Sequence, residues 1–212
     1  MSETDFLDTA VEAARAAGKV LDHWSQRFSV SEKGRADLVT EADLESQQVI
    51  ADLIRERFPG HSILGEEGLD ENHADATCRW VIDPLDGTSN YVHGLPFYAV
   101  SIAVEIDHEP AIGVIFDPTR DEMFTAIRGA GARLNDSPLT TSSDRIDRLD
   151  QSLVMASLPV ATSGDNPAVE RFLTVLSRAQ HTQRTGSAAL NLAYVACGRI
   201  DAFWSTSLKP WD

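Results

Sequence analysis

The chain has 212 residues, of which 42% are hydrophobic and 24% charged, and its formal net charge is -15. That length buries a substantial core in one large domain or two small ones, and the acidic balance excludes a general binder of nucleic acid or of anionic membranes. Two cysteines, Cys78 and Cys197, make neither a disulfide framework nor a thiolate zinc cluster. The acidic start, Ser2 to Asp5, has no signal-peptide pattern, and no apolar run reaches membrane-spanning length. A cytoplasmic location is the resulting expectation.

In chain order, Phe6, Leu7, Ala10, Val11, Ala14, Ala17 and Leu21 recur at helical spacing, with Ser2 or Thr4 as the cap. The polar stretch Ser29 to Ala36 reads as a loop or loose hairpin. A second helix is predicted from Thr40 to Phe58, stopped by Pro59-Gly60, with Val49, Ile50, Leu53 and Ile54 on its apolar face. Ile63-Leu64 and Trp80-Val81-Ile82 read as buried strands, the second ending near Asp83. Ala99–Val104, Ala111–Phe116 and Glu122–Ile127 are joined by short turns and predict an antiparallel meander. Gly129–Ala132 reads as a turn between strands. The polar segment Ser137 to Asp150 is the expected boundary between 1–140, which holds most of the acidic site residues, and 141–212. Beyond it come a strand (Leu153–Leu158), a helix (Pro167–Ala179), a strand, a helix (Ser187–Cys197) and a strand (Ala202–Ser205). Layered α+β is the fold class.

The chemistry concentrates in Asp83-Pro84-Leu85-Asp86-Gly87-Thr88. Asp-Pro and Asp-Gly are common turn formers, so each Asp alone reads as a plain turn. The whole arrangement says more. Two carboxylates follow a buried strand, a Gly and a hydroxyl residue stand where a helix can begin, and a second acidic pair, Glu66-Glu67, ends another strand. Hard divalent cations take clustered oxygen ligands, and a helix start presents N–H groups to an anion. Pro84 stiffens the turn and leaves the Leu85 carbonyl to face a cation. Adjacent residues of an extended chain face opposite ways, which gives Glu66 to the metals and leaves Glu67 behind it. Trp211-Asp212 adds one more carboxylate. Thr88 reads either as a helix cap or as a hydroxyl that orients water. Asp43 reads either as the acid of a Thr40 capping box or as the acceptor for Thr88. No His-Glu-x-x-His pair and no Gly-x-Ser-x-Gly elbow is present, so neither a zinc hydrolase nor a serine esterase is supported.

Gly65-Glu-Glu-Gly68, Trp80-Val-Ile-Asp-Pro-Leu-Asp-Gly-Thr-Ser-Asn90 and Trp211-Asp212 resemble the signature elements of the inositol monophosphatase family. Asp37-Leu-Val-Thr40 leading to Asp43, Pro96-Phe97, and Gly186-Ser-Ala-Ala189 match in the same order. The resemblance implies a layered α-β-α-β-α sandwich, of the type shared with fructose-1,6-bisphosphatase, and two or three magnesium ions. It assigns Glu66, Asp83 and the Leu85 carbonyl to the first ion, and Asp83, Asp86 and Asp212 to the second. A third, weaker ion falls near Glu66. Thr88 and Asp43 position the attacking water, with Glu66 beside them in the catalytic set. Gly87 and Thr88 hold the phosphate through backbone N–H groups, and Ser187, Ala188 and Ser205 lie toward the substrate. The implied activity is hydrolysis of a small phosphorylated polyol or sugar, inositol-1-phosphate-like, with lithium sensitivity and a homodimeric state common in the family. Fructose-1,6-bisphosphatase, histidinol-phosphate and 3'-phosphoadenosine phosphatases are rivals on one scaffold. A weakly catalytic metal-binding or regulatory protein is the rival of another class. Ser205 departs from the Glu usual in inositol phosphatases at that position. The family also continues past Trp-Asp with further helices and strands, so the C-terminal part is expected to be incomplete.

Overall fold

A reciprocal cap starts the first helix, α1 (Glu3–Trp24), in this computed structural model, which describes residues 2–34, 37–142, 145–159 and 163–212. The Asp5 N–H donates to Ser2 Oγ at 3.3 Å, and the Ser2 N–H donates to the Asp5 carboxylate at 2.7 Å. Ser2, not Thr4, is therefore the cap. Phe6, Ala10, Ala13, Ala14, Ala17 and Leu21 form its buried stripe, and the small Ala side chains let it lie close on its neighbours. Strands β1 (Val30–Gly34) and β2 (Asp37–Thr40) pair as an antiparallel hairpin; Arg35 and Ala36 of the expected loop fall outside the described residues.

Helix α2 (Glu41–Arg57) begins at Thr40, and its buried face differs from the expected one. Ala42, Asp43, Ser46, Gln47, Ile50, Ala51 and Ile54 are buried, whereas Val49 and Leu53 are only half-buried. Three polar residues on a buried face need partners, because an unpaired buried polar group is costly. Two of those partners belong to the site described below. The fully buried Ile50 and Ile54 each contribute about 1.5–3 kcal/mol by leaving water.

The main sheet runs β3 (Ser62–Gly65), β4 (Asp70–Glu71), β5 (Cys78–Asp86), β6 (Ala99–Ile106), β7 (Glu109–Asp117), β8 (Glu122–Ile127), β9 (Gly131–Leu134) and β10 (Ser137–Pro138) along the chain. Its spatial order is β10-β9-β8-β7-β6-β5-β3-β4. From β5 to β10 every neighbour is antiparallel, and β3 alone runs parallel to β5. Helices α1 and α2 cover one face, enclosing Trp80, Ile82, Ile102, Val104 and Val114.

A second, three-stranded sheet contains β11 (Leu153–Ser157), β12 (His181–Gln183) and β13 (Ala202–Ser205), in the order β12-β11-β13, all parallel. Helix α4 (Pro167–Leu176) connects β11 to β12, and α5 (Ala188–Ala196) connects β12 to β13. These crossovers run in opposite directions across the sheet. Right-handed connections therefore put the two helices on opposite faces. Helix α5 packs against the main sheet through Leu190 and Ala193, which meet Ala99 and Phe124. The order helix, sheet, helix, sheet, helix is the layering that the family resemblance implies, within the α+β class expected from the sequence pattern. Strand β5 departs from expectation: it does not stop at Asp83 but continues to Asp86, with a register shift against β6 between those residues. That irregularity leaves Pro84 and Leu85 without register partners, between Asp83 opposite Ser101 and Asp86 opposite Ala99.

Candidate active site

The irregular end of β5 is the centre of the site. The Leu85 N–H donates to Asp83 Oδ1 at 3.0 Å, a local turn bond that Pro84 cannot disturb. Asp83 and Leu85 are both 1% exposed. Gly87 follows with φ of 100°, and a Cβ there would meet the Phe97 carbonyl oxygen at 3.1 Å. Glycine satisfies both the left-handed backbone and the close approach. It is the N-cap of the five-residue helix α3 (Thr88–Val92), so Thr88 is not the cap.

The Thr88 hydroxyl instead has two acceptors at 3.1 Å, Asp43 Oδ1 and the Leu85 carbonyl. Asp43 keeps its capping role as well. Its Oδ2 accepts from the Thr40 N–H at 2.8 Å and from the Thr40 hydroxyl at 2.6 Å. Both readings of Asp43 hold together, one on each oxygen. Burial raises the Asp43 pKa, and the hydrogen bonds from Thr40 and Thr88 oppose that rise.

Asp86 is held from the far side of the chain. Its carboxylate accepts from the Ser187 hydroxyl, from the Ala188 N–H at 3.2 Å and from the Ala189 N–H at 2.8 Å. Ser187 and Ala188, expected toward the substrate, bond to Asp86 at the start of α5 and also line a cavity beside it. Burial pushes Asp86 up to about 6, and Asp212 adds to the rise, against the opposing hydrogen bonds from Ser187, Ala189 and Ala188. Asp212 sits in a turn in which the Lys209 N–H donates to its carboxylate. Burial raises its pKa also.

Asp83, Asp86 and Asp212 each bring a carboxylate oxygen within 4.8 Å of the other two. Glu66 lies beside Asp83, close enough for a shared hydrogen bond. Burial first, then Glu66, Asp86 and Asp212, drive the Asp83 pKa well above the carboxylate range. Among the described residues, no Lys or Arg forms an ion pair with the three aspartates. Buried like charges without a counter-ion repel strongly, and oxygen-only donors suit a hard divalent cation. The donor set fits magnesium.

Gln47 went unnoticed in the sequence, and Asn90 and Gly186 stood there only as motif residues without a role. Gln47 is 7% exposed, accepts the Glu67 N–H at 2.9 Å and donates to the Glu67 carbonyl at 3.3 Å. Its spacing four residues after Asp43 was the available signal. The Asn90 side chain donates to the Phe97 carbonyl at 2.6 Å and to the Thr185 carbonyl at 2.7 Å, tying α3 to the loop that starts α5. Gly186 yields to it, since a Cβ there would lie 2.8 Å from the Asn90 amide. A cavity of about 190 Å³ opens beside Asp86 and Asp212, lined also by Arg184, Gly186, Asn191 and Leu208. Ser205 ends β13 outside that lining, and its hydroxyl accepts the Ser207 N–H at 3.3 Å.

The model of the inositol monophosphatase family matches residues 2–212. The chain belongs to this family. It is 41% identical over 210 residues to the Nus factor SuhB of Salmonella typhimurium, covering 97% of this chain and 78% of that protein. It is equally 41% identical, over 212 residues, to the inositol-1-monophosphatase of Synechocystis, covering 98% and 72%. The solved inositol monophosphatase of Anabaena superposes with a TM-score of 0.85 at 40% identity, covering 99% of this chain and 77% of that one. Membership supports phosphatase activity. No helix among the described residues is long and apolar enough to cross a membrane.

Proposed function

We propose that this protein hydrolyses small phosphate monoesters with magnesium, inositol-1-phosphate-like polyol phosphates being the main substrate class. The observation that carries the reading is the convergence of Asp83, Asp86 and Asp212 within 4.8 Å, on a family scaffold. Glu66, Asp83 and the Leu85 carbonyl would hold one ion, and Asp83, Asp86 and Asp212 a second, with a weaker third near Glu66. Magnesium, when bound, supplies positive charge that makes water more acidic and offsets charge building on phosphoryl oxygens.

The remaining work falls to the chain. Thr88, donating to Asp43, turns an oxygen lone pair toward the attacking water and fixes its line of approach. Backbone N–H groups at Gly87 and Thr88 hold the phosphate. Water oxygen forms the new bond to phosphorus as the ester oxygen leaves with the bonding pair, and the proton that the water gives up is balanced by one taken up by the leaving oxygen, which is released as the alcohol. No phosphoenzyme is needed. Ser187, Ala188 and Ala189 hold Asp86 in place, and Ser205 offers the substrate at most a neutral contact. The reaction belongs in the cytoplasm, in a homodimer, with lithium as an inhibitor.

Turnover on a panel of inositol, glycerol, fructose, histidinol and nucleotide phosphates, with and without magnesium, tests the reading. Magnesium-dependent release fastest on polyol phosphates supports it. No magnesium-dependent release from any ester refutes it. That second outcome favours a metal-binding regulatory protein, a reading to which the resemblance to the Nus factor relative gives weight.

A further inference from the structure

One face of α2 reaches two separate arms of the site. Asp43 and Gln47 are four residues apart, so their side chains lie one above the other on a helix. Asp43 holds Thr88. Gln47, one turn on, holds the backbone of Glu67 on both its N–H and its carbonyl. The neighbouring acidic residue, Glu66, is the one whose side chain meets Asp83.

We propose that Gln47 is a positioning residue, which sets the segment Gly65–Glu67 so that the Glu66 carboxylate faces Asp83. The contact is built from both sides. A Cβ on Gly65 would lie 2.4 Å from Gln47 Oε1 and 3.2 Å from Ile82 Cγ1, so the amide fits only against glycine. The Glu66 N–H donates to the Ile82 carbonyl at 3.2 Å, and the Gly65 N–H to the Leu69 carbonyl at 2.7 Å. The Gly65–Leu69 bond closes the turn, the Glu66–Ile82 bond ties its start to β5, and the Gln47 amide holds Glu67 within it. A residue with no contact to substrate thereby decides where Glu66 points. The same helix fixes the water-orienting pair, so any shift of α2 moves both arms together. The consequence for magnesium rests on the phosphatase reading.

The test uses the full chain with Gln47→Leu, which keeps bulk and removes both hydrogen-bonding groups. Magnesium chloride titrated calorimetrically into the folded variant should bind about 10- to 100-fold more weakly than into wild type, the loss typical when a residue orienting a metal ligand is removed. The Glu67 amide should exchange its hydrogen faster. Gln47→Glu keeps an oxygen for that N–H and should fall between the two. Gly65→Ala attacks the same contact from the other side and serves if Gln47→Leu does not fold. Because they disturb one contact, Gly65→Ala and Gln47→Ala combined should lose no more affinity than the worse single variant. A purely structural role lowers the melting temperature and leaves magnesium affinity of the folded variants unchanged. That result overturns the inference, as do losses that multiply in the double variant. A wild type that binds no magnesium and releases no phosphate instead overturns the phosphatase reading, and this inference with it.

Discussion

Replacing Asp83 by Asn is expected to move the metal-free and the magnesium-bound protein in opposite directions. Asp83 is 1% exposed, and Glu66, Asp86 and Asp212 crowd it. Two unit charges at the 4.8 Å limit of the cluster repel by about 3 kcal/mol at an effective dielectric constant of about 20. Burial and these neighbours raise the folded-state pKa, so the folded protein binds this proton more tightly than the unfolded chain. Its contribution is then fully present below the unfolded value and is lost as pH rises through the folded one. Asn carries no charge to lose. Its carbonyl keeps the bond from the Leu85 N–H, and its NH₂ group offers Glu66 a donor. Above that window, metal-free Asp83→Asn should be more stable than wild type by up to about 3 kcal/mol for each ionised neighbour relieved. Below it the advantage vanishes, because wild-type Asp83 is protonated. Magnesium should stabilise wild type and do little for the variant, which has lost a carboxylate that the proposal gives to both ions, and phosphate release should fall with it. Urea unfolding followed by tryptophan fluorescence, in EDTA and in magnesium across a pH series, measures all of this. A variant less stable than wild type without metal at alkaline pH, or gaining as much from magnesium, refutes the reasoning.

Thr88→Ala should cost about 100-fold or more in kcat, in the range for a lost proton-handling or water-orienting group, while calorimetry shows magnesium binding retained. Metal-free wild type should lose stability as pH rises from the ordinary Asp range to about 6, where burial holds Asp86; Asp86→Asn should flatten that decline in the same unfolding series. Lithium chloride should inhibit turnover where potassium chloride at equal ionic strength does not, and equal responses would count against the inositol branch. Ser205→Glu should raise the kcat/KM preference for inositol-1-phosphate over glycerol-2-phosphate, because charged hydrogen bonds are worth about 1.5–3 kcal/mol. A wild type already sharply selective, with no gain in the variant, would remove Ser205 from the specificity argument.

Local chemistry made much of this protein legible in its sequence. The stripe from Phe6 to Leu21, the Thr40–Asp43 cap and the apolar runs from Ala99 to Ile127 each specify an element through neighbours a few residues away. The spacing of Asp83, Asp86, Gly87 and Thr88 marked the candidate site for the same reason, since six consecutive residues hold them all.

Long-range pairing decided the rest. Nothing near Ser62 announces that β3 lies parallel to β5, between it and β4, yet that pairing brings Glu66 beside Asp83. Strand β5 runs on through Pro84 because β6 offers a partner for Asp86 at Ala99. Ser187 and Ala188 meet Asp86 across more than a hundred residues of chain, and Gln47 reaches Glu67 across twenty. A sequence pattern records which groups a residue carries and which face of its own element it occupies. Which distant backbone groups a buried Gln or Ser satisfies depends on how the layers stack, and only the tertiary structure fixes that.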